Sequence, residues 1–177
     1  CFNLIYSSSA SIYGIVSNEA IVESNLIKPV NPYGVTKAFI ENYLDNLFNQ
    51  SFDEWRIAKL RYFNPAGAHH SGVIGEDIKK EYSNLFPILA NVAFGNKSAL
   101  EIFGKDWPTK DGTCIRDFIH IEDLAEAHYQ TLIYLINNKS QLVSFNLGLG
   151  KGLTLLEIIK KYSKINNCLI PYIFKDR

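Results

Sequence analysis

The chain has 177 residues, room for one domain or one and a half, and its 47% hydrophobic content is that of a folded protein rather than a disordered one. Eighteen basic and eighteen acidic side chains cancel, which leaves no electrostatic footprint for nucleic acid or an anionic membrane. No apolar run approaches the roughly 20 residues of a membrane span. Cys1, Cys114 and Cys168 are odd in number, far apart and without a CxxC pair, which argues against a disulfide framework or a zinc site and for a reducing compartment. His69-His70 is the one histidine cluster in the sequence; adjacent residues do not face one way on a regular element, so no metal is expected. With no methionine, and with no basic region before its first apolar run, the sequence reads as an internal segment of a longer protein rather than one opening on a signal peptide.

In chain order, Phe2–Tyr6 is predicted as a buried strand that empties into Ser7-Ser8-Ser9. Residues 15–30 read as loop. Asn31 is a suitable N-cap and Pro32 suits the first helical position, so a helix starts there and runs to about Asn49. It carries Ala38, Phe39, Ile40, Tyr43, Leu44, Leu47 and Phe48 as an apolar stripe at helical spacing. Arg56–Phe63 is the next strand. Strand, helix and strand make a βαβ unit with parallel strands and a right-handed crossover. Ala66–Glu81 reads as loop, followed by a helix from Leu85 to Phe94 capped by Asn84 and Gly95. Further elements are a short strand Ala99–Phe103, a loop Lys105–Thr113, an extended stretch Arg116–His120 and a helix Glu122–Asn137, with His128 at the edge of its core face. A strand Ser144–Leu147 comes next. Thr154-Leu155-Leu156-Glu157 is a capping-box pattern that opens a last helix to about Ile165, and Leu169–Phe174 is a final strand. Gly148-x-Gly150-x-Gly152 lacks the spacing of a dinucleotide loop and reads as a tight turn.

The chemistry concentrates at Tyr33-Gly34-Val35-Thr36-Lys37. Residues four apart share one helical face, and an ammonium held near a phenol favours the phenolate, whose free pKa is about 10. Such a pair is a compact way to make a tyrosine that takes or gives a proton. The serines at the carboxyl end of the first strand stand where open α/β sheets place ligands.

These motifs occur together with Ala10-Ser11-Ile12-Tyr13-Gly14, Leu60-Arg61-Tyr62-Phe63-Asn64-Pro65, Gly75-Glu76-Asp77 and Asp111-Gly112-Thr113-Cys114-Ile115-Arg116-Asp117-Phe118-Ile119-His120. In that combination the chain resembles the extended short-chain dehydrogenase/reductase superfamily and, within it, the UDP-glucose/UDP-galactose 4-epimerases. The resemblance implies an α/β fold: a partial Rossmann-type, doubly wound parallel sheet with a smaller α/β substrate-binding lobe. Residues 1–68 and 111–147 would be the later part of the NAD-binding domain, and 69–110 and 148–177 part of the nucleotide-sugar lobe. The resemblance implies NAD as cofactor and a UDP-hexose as substrate. Tyr33 would be the acid/base at the sugar C4 hydroxyl, Lys37 would bind the nicotinamide ribose and lower the pKa of Tyr33, and Ser9 would hydrogen-bond the same hydroxyl. Tyr62 and Phe63 would line the nicotinamide site. Ala10, Ser11, Asn64, Asn84, Leu85, Glu101, Ile102, Phe103 and Arg116 would hold the substrate; the alternative for Arg116 is a salt bridge to Asp117 or Glu122. The same resemblance implies a cytoplasmic homodimer for the full-length protein. Competing readings are a 4,6-dehydratase, whose acidic pair beside the hydroxyl residue has no counterpart at Ser9-Ala10-Ser11, and a non-catalytic nucleotide-binding protein on the same scaffold.

Overall fold

A three-stranded ladder, parallel throughout and buried along its central strand, carries the serine-bearing segment. In chain order the elements are β1 (Asn3–Ser9), a 3-10 turn (Ala10–Tyr13), α1 (Pro32–Gln50), β2 (Arg56–Tyr62), β3 (Asn64–Ala66), α2 (Leu85–Ala93), β4 (Leu100–Phe103), β5 (Ile115–Arg116), β6 (Phe118–His120), α3 (Ile121–Asn137), β7 (Gln141–Leu147), β8 (Leu153–Thr154), α4 (Leu155–Asn166) and β9 (Tyr172–Lys175). This computed structural model describes residues 2–16, 20–76 and 84–177. Cys1, Asp77 and the end of the expected 66–81 loop lie outside the described residues.

The chain divides into two units, Cys1–Pro65 with Phe118–Lys151, and Ala66–Asp117 with Gly152–Arg177. In the first, the strand order is β1-β2-β7, with β2 parallel to both neighbours. The parallel pairing of β1 and β2 across α1 is the βαβ arrangement read from the sequence. β1 runs past its apolar start because Ser7, Ser8 and Ser9 stay in register with Leu60, Arg61 and Tyr62. β7 likewise starts earlier than predicted, at Gln141 opposite Arg56. Successive strand residues point to opposite faces. Ser8 reaches Glu41 of α1, whereas Ser7 meets Tyr62, which itself meets His128 of α3. The two helices therefore cover opposite faces of the sheet, the layering of a doubly wound fold.

α1 packs only part of its apolar stripe, at Leu44, and a polar row packs beside it. Its buried residues are Gly34, Glu41 and Leu44, while Phe39 is 72% and Tyr43 60% exposed. Tyr33, Lys37, Glu41 and Asp45 recur at intervals of four, and this polar row carries the contacts to the strands, Lys37 with Ser7, Glu41 with Ser8 and Arg61, Asp45 with Lys59. The helix start is fixed twice. The Asn31 side chain accepts from the Gly34 amide at 2.7 Å, with Pro32 behind it. A Cβ on Gly34 would also stand 2.6 Å from the Ser11 carbonyl oxygen, so the backbone of α1 lies against the 3-10 turn as only glycine allows.

In the second unit β4 pairs with β9 in parallel and β5 with β8 antiparallel. Ile102, Leu100, Ile158, Ile159 and Ile170 are buried in its core. The capping box opening α4 is formed: Thr154 accepts from the Glu157 amide and the Glu157 carboxylate accepts from the Thr154 amide. Gly152 admits the β5–β8 pairing, since a Cβ there would fall 2.2 Å from Ile115 Cγ2. Among the described residues no helix is long and apolar enough to cross a membrane.

Loss of the α1 cap has a defined cost. Asn31→Ala removes one hydrogen bond from the helix start and is expected to destabilise by about 1 kcal/mol, lowering Tm by about 2–4 °C in a chain of this size. An unchanged melting curve would show that Pro32 and the Gly34 contact hold the helix start without the cap.

Candidate active site

Lys37 has a three-sided setting at the carboxyl end of β1. Its Nζ donates to the Ser7 carbonyl at 2.8 Å and lies 5.3 Å from the Tyr6 ring centroid and 5.5 Å from that of Tyr33. An ammonium over two aromatic faces is held electrostatically by both, and the carbonyl fixes its position along the strand. Tyr33 itself is 56% exposed. Ser9 is buried and its hydroxyl turns to the start of the 3-10 segment, accepting from the Ser11 amide at 3.1 Å and donating to Ser11 Oγ at the same distance. Ser9, Ala10 and Ser11 thus form one capped turn, and Gly34 ties that turn to the helix bearing Tyr33.

Tyr62 stands on the opposite face of the sheet from Glu41. Its hydroxyl is 2.6 Å from Ser7 Oγ and 2.5 Å from His128 Nε2, and His128 Nδ1 is 2.8 Å from the Leu124 carbonyl. Burial pushes the Tyr62 phenol up, the Ser7 hydroxyl offsets part of that, and the neighbouring charge of a Tyr33 phenolate adds to it. Tyr6 is likewise raised, by burial first and then by Glu41 and Tyr33. Through the contacts of Lys37 and Ser7 the first unit gathers Tyr6, Ser7, Tyr33, Lys37 and Tyr62 at one end of β1 and β2. Phe63 and Asn64 follow directly after β2, both half-buried.

Beneath this group lies a charged network missing from the sequence reading. Glu41, 1% exposed, accepts from Arg61 at both oxygens, Nε to Oε1 at 3.0 Å and Nη2 to Oε2 at 2.7 Å, and from Ser8 Oγ at 2.6 Å. Arg61 Nη1 donates to Tyr13 Oη at 2.8 Å and to the Glu23 carbonyl at 3.0 Å, and Tyr13 donates to Asn146 Oδ1 at 2.7 Å. Lys59 joins at 2.5 Å from Asp45 and 3.8 Å from Glu41. Burial works to raise the Glu41 carboxyl, but the hydrogen bonds from Arg61 and Ser8 and the charges of Arg61 and Lys59 outweigh it and hold it below the ordinary glutamate value. The signal was present in the sequence: Lys59 and Arg61 alternate with apolar residues along a strand, opposite a row of polar residues spaced by four.

The remaining predicted residues belong to the second unit. Asn84 occupies the N-cap position of α2 but makes no capping bond; its amide donates instead to Glu76 Oε1 at 2.7 Å, correcting the expectation that its side chain caps the helix. Leu85 is the first residue of that helix. In β4 the Ile102 side chain is buried in the core, while Glu101 is half-buried and Phe103 59% exposed. Glu101 lies 3.9 Å from Lys175. Arg116 is exposed and pairs through its backbone with Leu153.

The family described as the NAD dependent epimerase/dehydratase family matches residues 1–148. A UDP-glucose 4-epimerase of Bacillus subtilis (strain 168) is 44% identical over 174 residues, 98% of this chain and 51% of that protein. One from Dictyostelium discoideum is 44% identical over 169 residues, 96% of this chain and 49% of the relative. Among solved structures, a UDP-glucose 4-epimerase from Bifidobacterium longum in complex with NAD+ and UDP superposes with a TM-score of 0.92 at 41% identity, covering 99% of this chain and 52% of the other. One from Stenotrophomonas maltophila, with bound NAD and formylated UDP-arabinopyranose, gives 0.93 at 39% identity, covering 99% and 52%. The chain spans about half the length of the curated relatives it matches.

Removing one partner of a buried ion pair leaves the other charge unpaired. Glu41→Gln is therefore expected to cost about 3–5 kcal/mol in urea unfolding. The Glu41 carboxyl is depressed in the folded chain, so its contribution is present above the ordinary value of 4.5 and is lost as pH falls below that through the folded value. Wild-type stability should fall over that acid range more steeply than that of Glu41→Gln; parallel pH curves would show that the carboxylate contributes nothing.

Proposed function

The chain belongs to the NAD dependent epimerase/dehydratase family, and on that premise we propose that the protein containing it interconverts UDP-glucose and UDP-galactose. What supports the reading is a tyrosine and a lysine one helical turn apart beside the serines that end β1, together with 44% identity to UDP-glucose 4-epimerases along nearly the whole chain. Units 1 and 2 are assigned to the cofactor half and the nucleotide-sugar half respectively.

NAD fits the donor set of the first unit. Lys37 would meet the ribose and Tyr62 and Phe63 the nicotinamide, where the cofactor supplies an acceptor for the hydride at sugar C4 and returns it after the 4-keto sugar has turned. The chain's own work is with the proton. Tyr33 takes it from the C4 hydroxyl and gives it back, Lys37 stands beside the Tyr33 ring, and Ser9 orients the same hydroxyl. Ala10, Ser11 and Asn64 would border the sugar. Arg116 offers a forked donor suited to diphosphate. The α2 start offers backbone N–H groups, with Asn84 and Leu85 beside them. Glu101, Ile102 and Phe103 would flank the uracil. For the Asn84 amide to serve the ligand it must leave Glu76, an exchange of one hydrogen bond for another.

The exposed apolar face of α1, with Phe39, Ile40 and Tyr43, supports a homodimer for the full-length protein. A role in galactose metabolism and a cytoplasmic location complete the proposal.

Tyr33→Phe in the full-length protein should keep UDP binding while turnover drops by about 10²–10⁴-fold, the usual worth of a general acid/base. A coupled assay with UDP-galactose reads the rate, and an unchanged rate would remove Tyr33 from this role.

A further inference from the structure

Tyr62 has one hydroxyl proton and two close partners, Ser7 Oγ at 2.6 Å and His128 Nε2 at 2.5 Å. The imidazole decides between them. His128 Nδ1 faces the Leu124 carbonyl at 2.8 Å, and a carbonyl can only accept, so Nδ1 carries a proton. An uncharged imidazole with its proton on Nδ1 has only a lone pair at Nε2. With that imidazole Tyr62 donates to His128, and the 2.6 Å contact with Ser7 is then made by the Ser7 hydroxyl donating to Tyr62, the reverse of the direction in which Tyr62 would serve Ser7. The hydrogen bonds run in one direction, from Ser7 to Tyr62 to His128 to the backbone of α3.

We propose that His128 is a positioning residue for the proposed epimerisation: it holds the proton of Tyr62 on the α3 side and leaves the hydroxyls of Ser7 and Tyr62 as acceptors at the end of β1 and β2. One further observation fits. The peptide carbonyl of Ser7 is the group that holds the Lys37 ammonium, so the residue anchored through Tyr62 by its side chain anchors Lys37 by its backbone. All of these groups lie in the first unit.

This inference rests on the proposed function for its kinetic arm alone. The spectroscopic arm is nitrogen-15 NMR of the imidazole in the full-length protein without substrate at neutral pH. It should report a protonated Nδ1 and a bare Nε2; a bare Nδ1 overturns the proposal whatever the enzyme does. In the kinetic arm, His128→Gln supplies an amide oxygen that reaches toward Tyr62, whereas His128→Asn keeps a group near Nδ1 but does not reach. His128→Asn should lower kcat about tenfold, on the order of one hydrogen bond, with KM for the UDP-sugar within about twofold. His128→Gln should recover most of that loss. Equal activity of His128→Asn and wild type, or equal damage in both variants, overturns the proposal. Tyr62→Phe, which keeps the ring and removes the hydroxyl, should make the His128→Asn change indifferent; a full further loss in the double variant also overturns it. A wild-type protein with no epimerase activity but a protonated Nδ1 would sink the function while leaving the imidazole's orientation standing.

Discussion

The forked ion pair between Glu41 and Arg61 is the constraint on which the first unit depends. It joins the helix bearing Tyr33 and Lys37 to the central strand, inside the protein, where a charge without a partner is strongly unfavourable. Arg61 also reaches Tyr13, and Tyr13 reaches Asn146 on the neighbouring strand. One guanidinium therefore fixes α1, β2 and the 3-10 turn, and through that turn β7. A hydrophobic contact would permit sliding by a fraction of a turn; a bidentate fork between planar groups does not. Ser8 adds a third bond to the same carboxylate, so the serine strand and the helix share one reference point.

The two faces of β1 divide the labour. Even-numbered residues turn toward α1, where Tyr6 lies under the Lys37 ammonium and Ser8 meets Glu41. Ser7 turns the other way, into the hydroxyl chain that ends at α3. Three consecutive serines are thus not redundant: Ser7 is oriented by Tyr62, Ser8 is bound to a buried carboxylate, and Ser9 caps the turn that follows. Their small size also lets both helices approach the strand end closely.

Much of this was legible in advance because local rules agree with the final packing. Asn31-Pro32 marks a helix start and the helix starts there; Thr154 and Glu157 mark a capping box and form one. The tyrosine–lysine spacing and the parallel strands also follow from short-range pattern. The buried face of α1 did not. Apolar periodicity favours the whole stripe, yet Phe39 and Tyr43 are exposed and Glu41 is buried beside Leu44, since Arg61 and Lys59 on β2 neutralise its carboxylate. Such pairing shows only when two elements are read together, alternating charges on β2 against polar residues spaced by four on α1. Asn84 failed for a similar reason: its amide found a carboxylate eight residues upstream in place of its own helix.

The close approach at Gly34 carries a consequence for how this region can diversify. Position 34 sits directly after the tyrosine on which the chemistry would turn, and a single methyl there would collide with a backbone oxygen that cannot move without dragging the serine turn with it. Val35, one step along, is half exposed and meets no such wall. Randomising the helix start would therefore waste every codon spent on residue 34, while its neighbour tolerates broad exploration. Directed evolution of the pocket has to enter from the solvent side of the helix rather than from the joint that seats it.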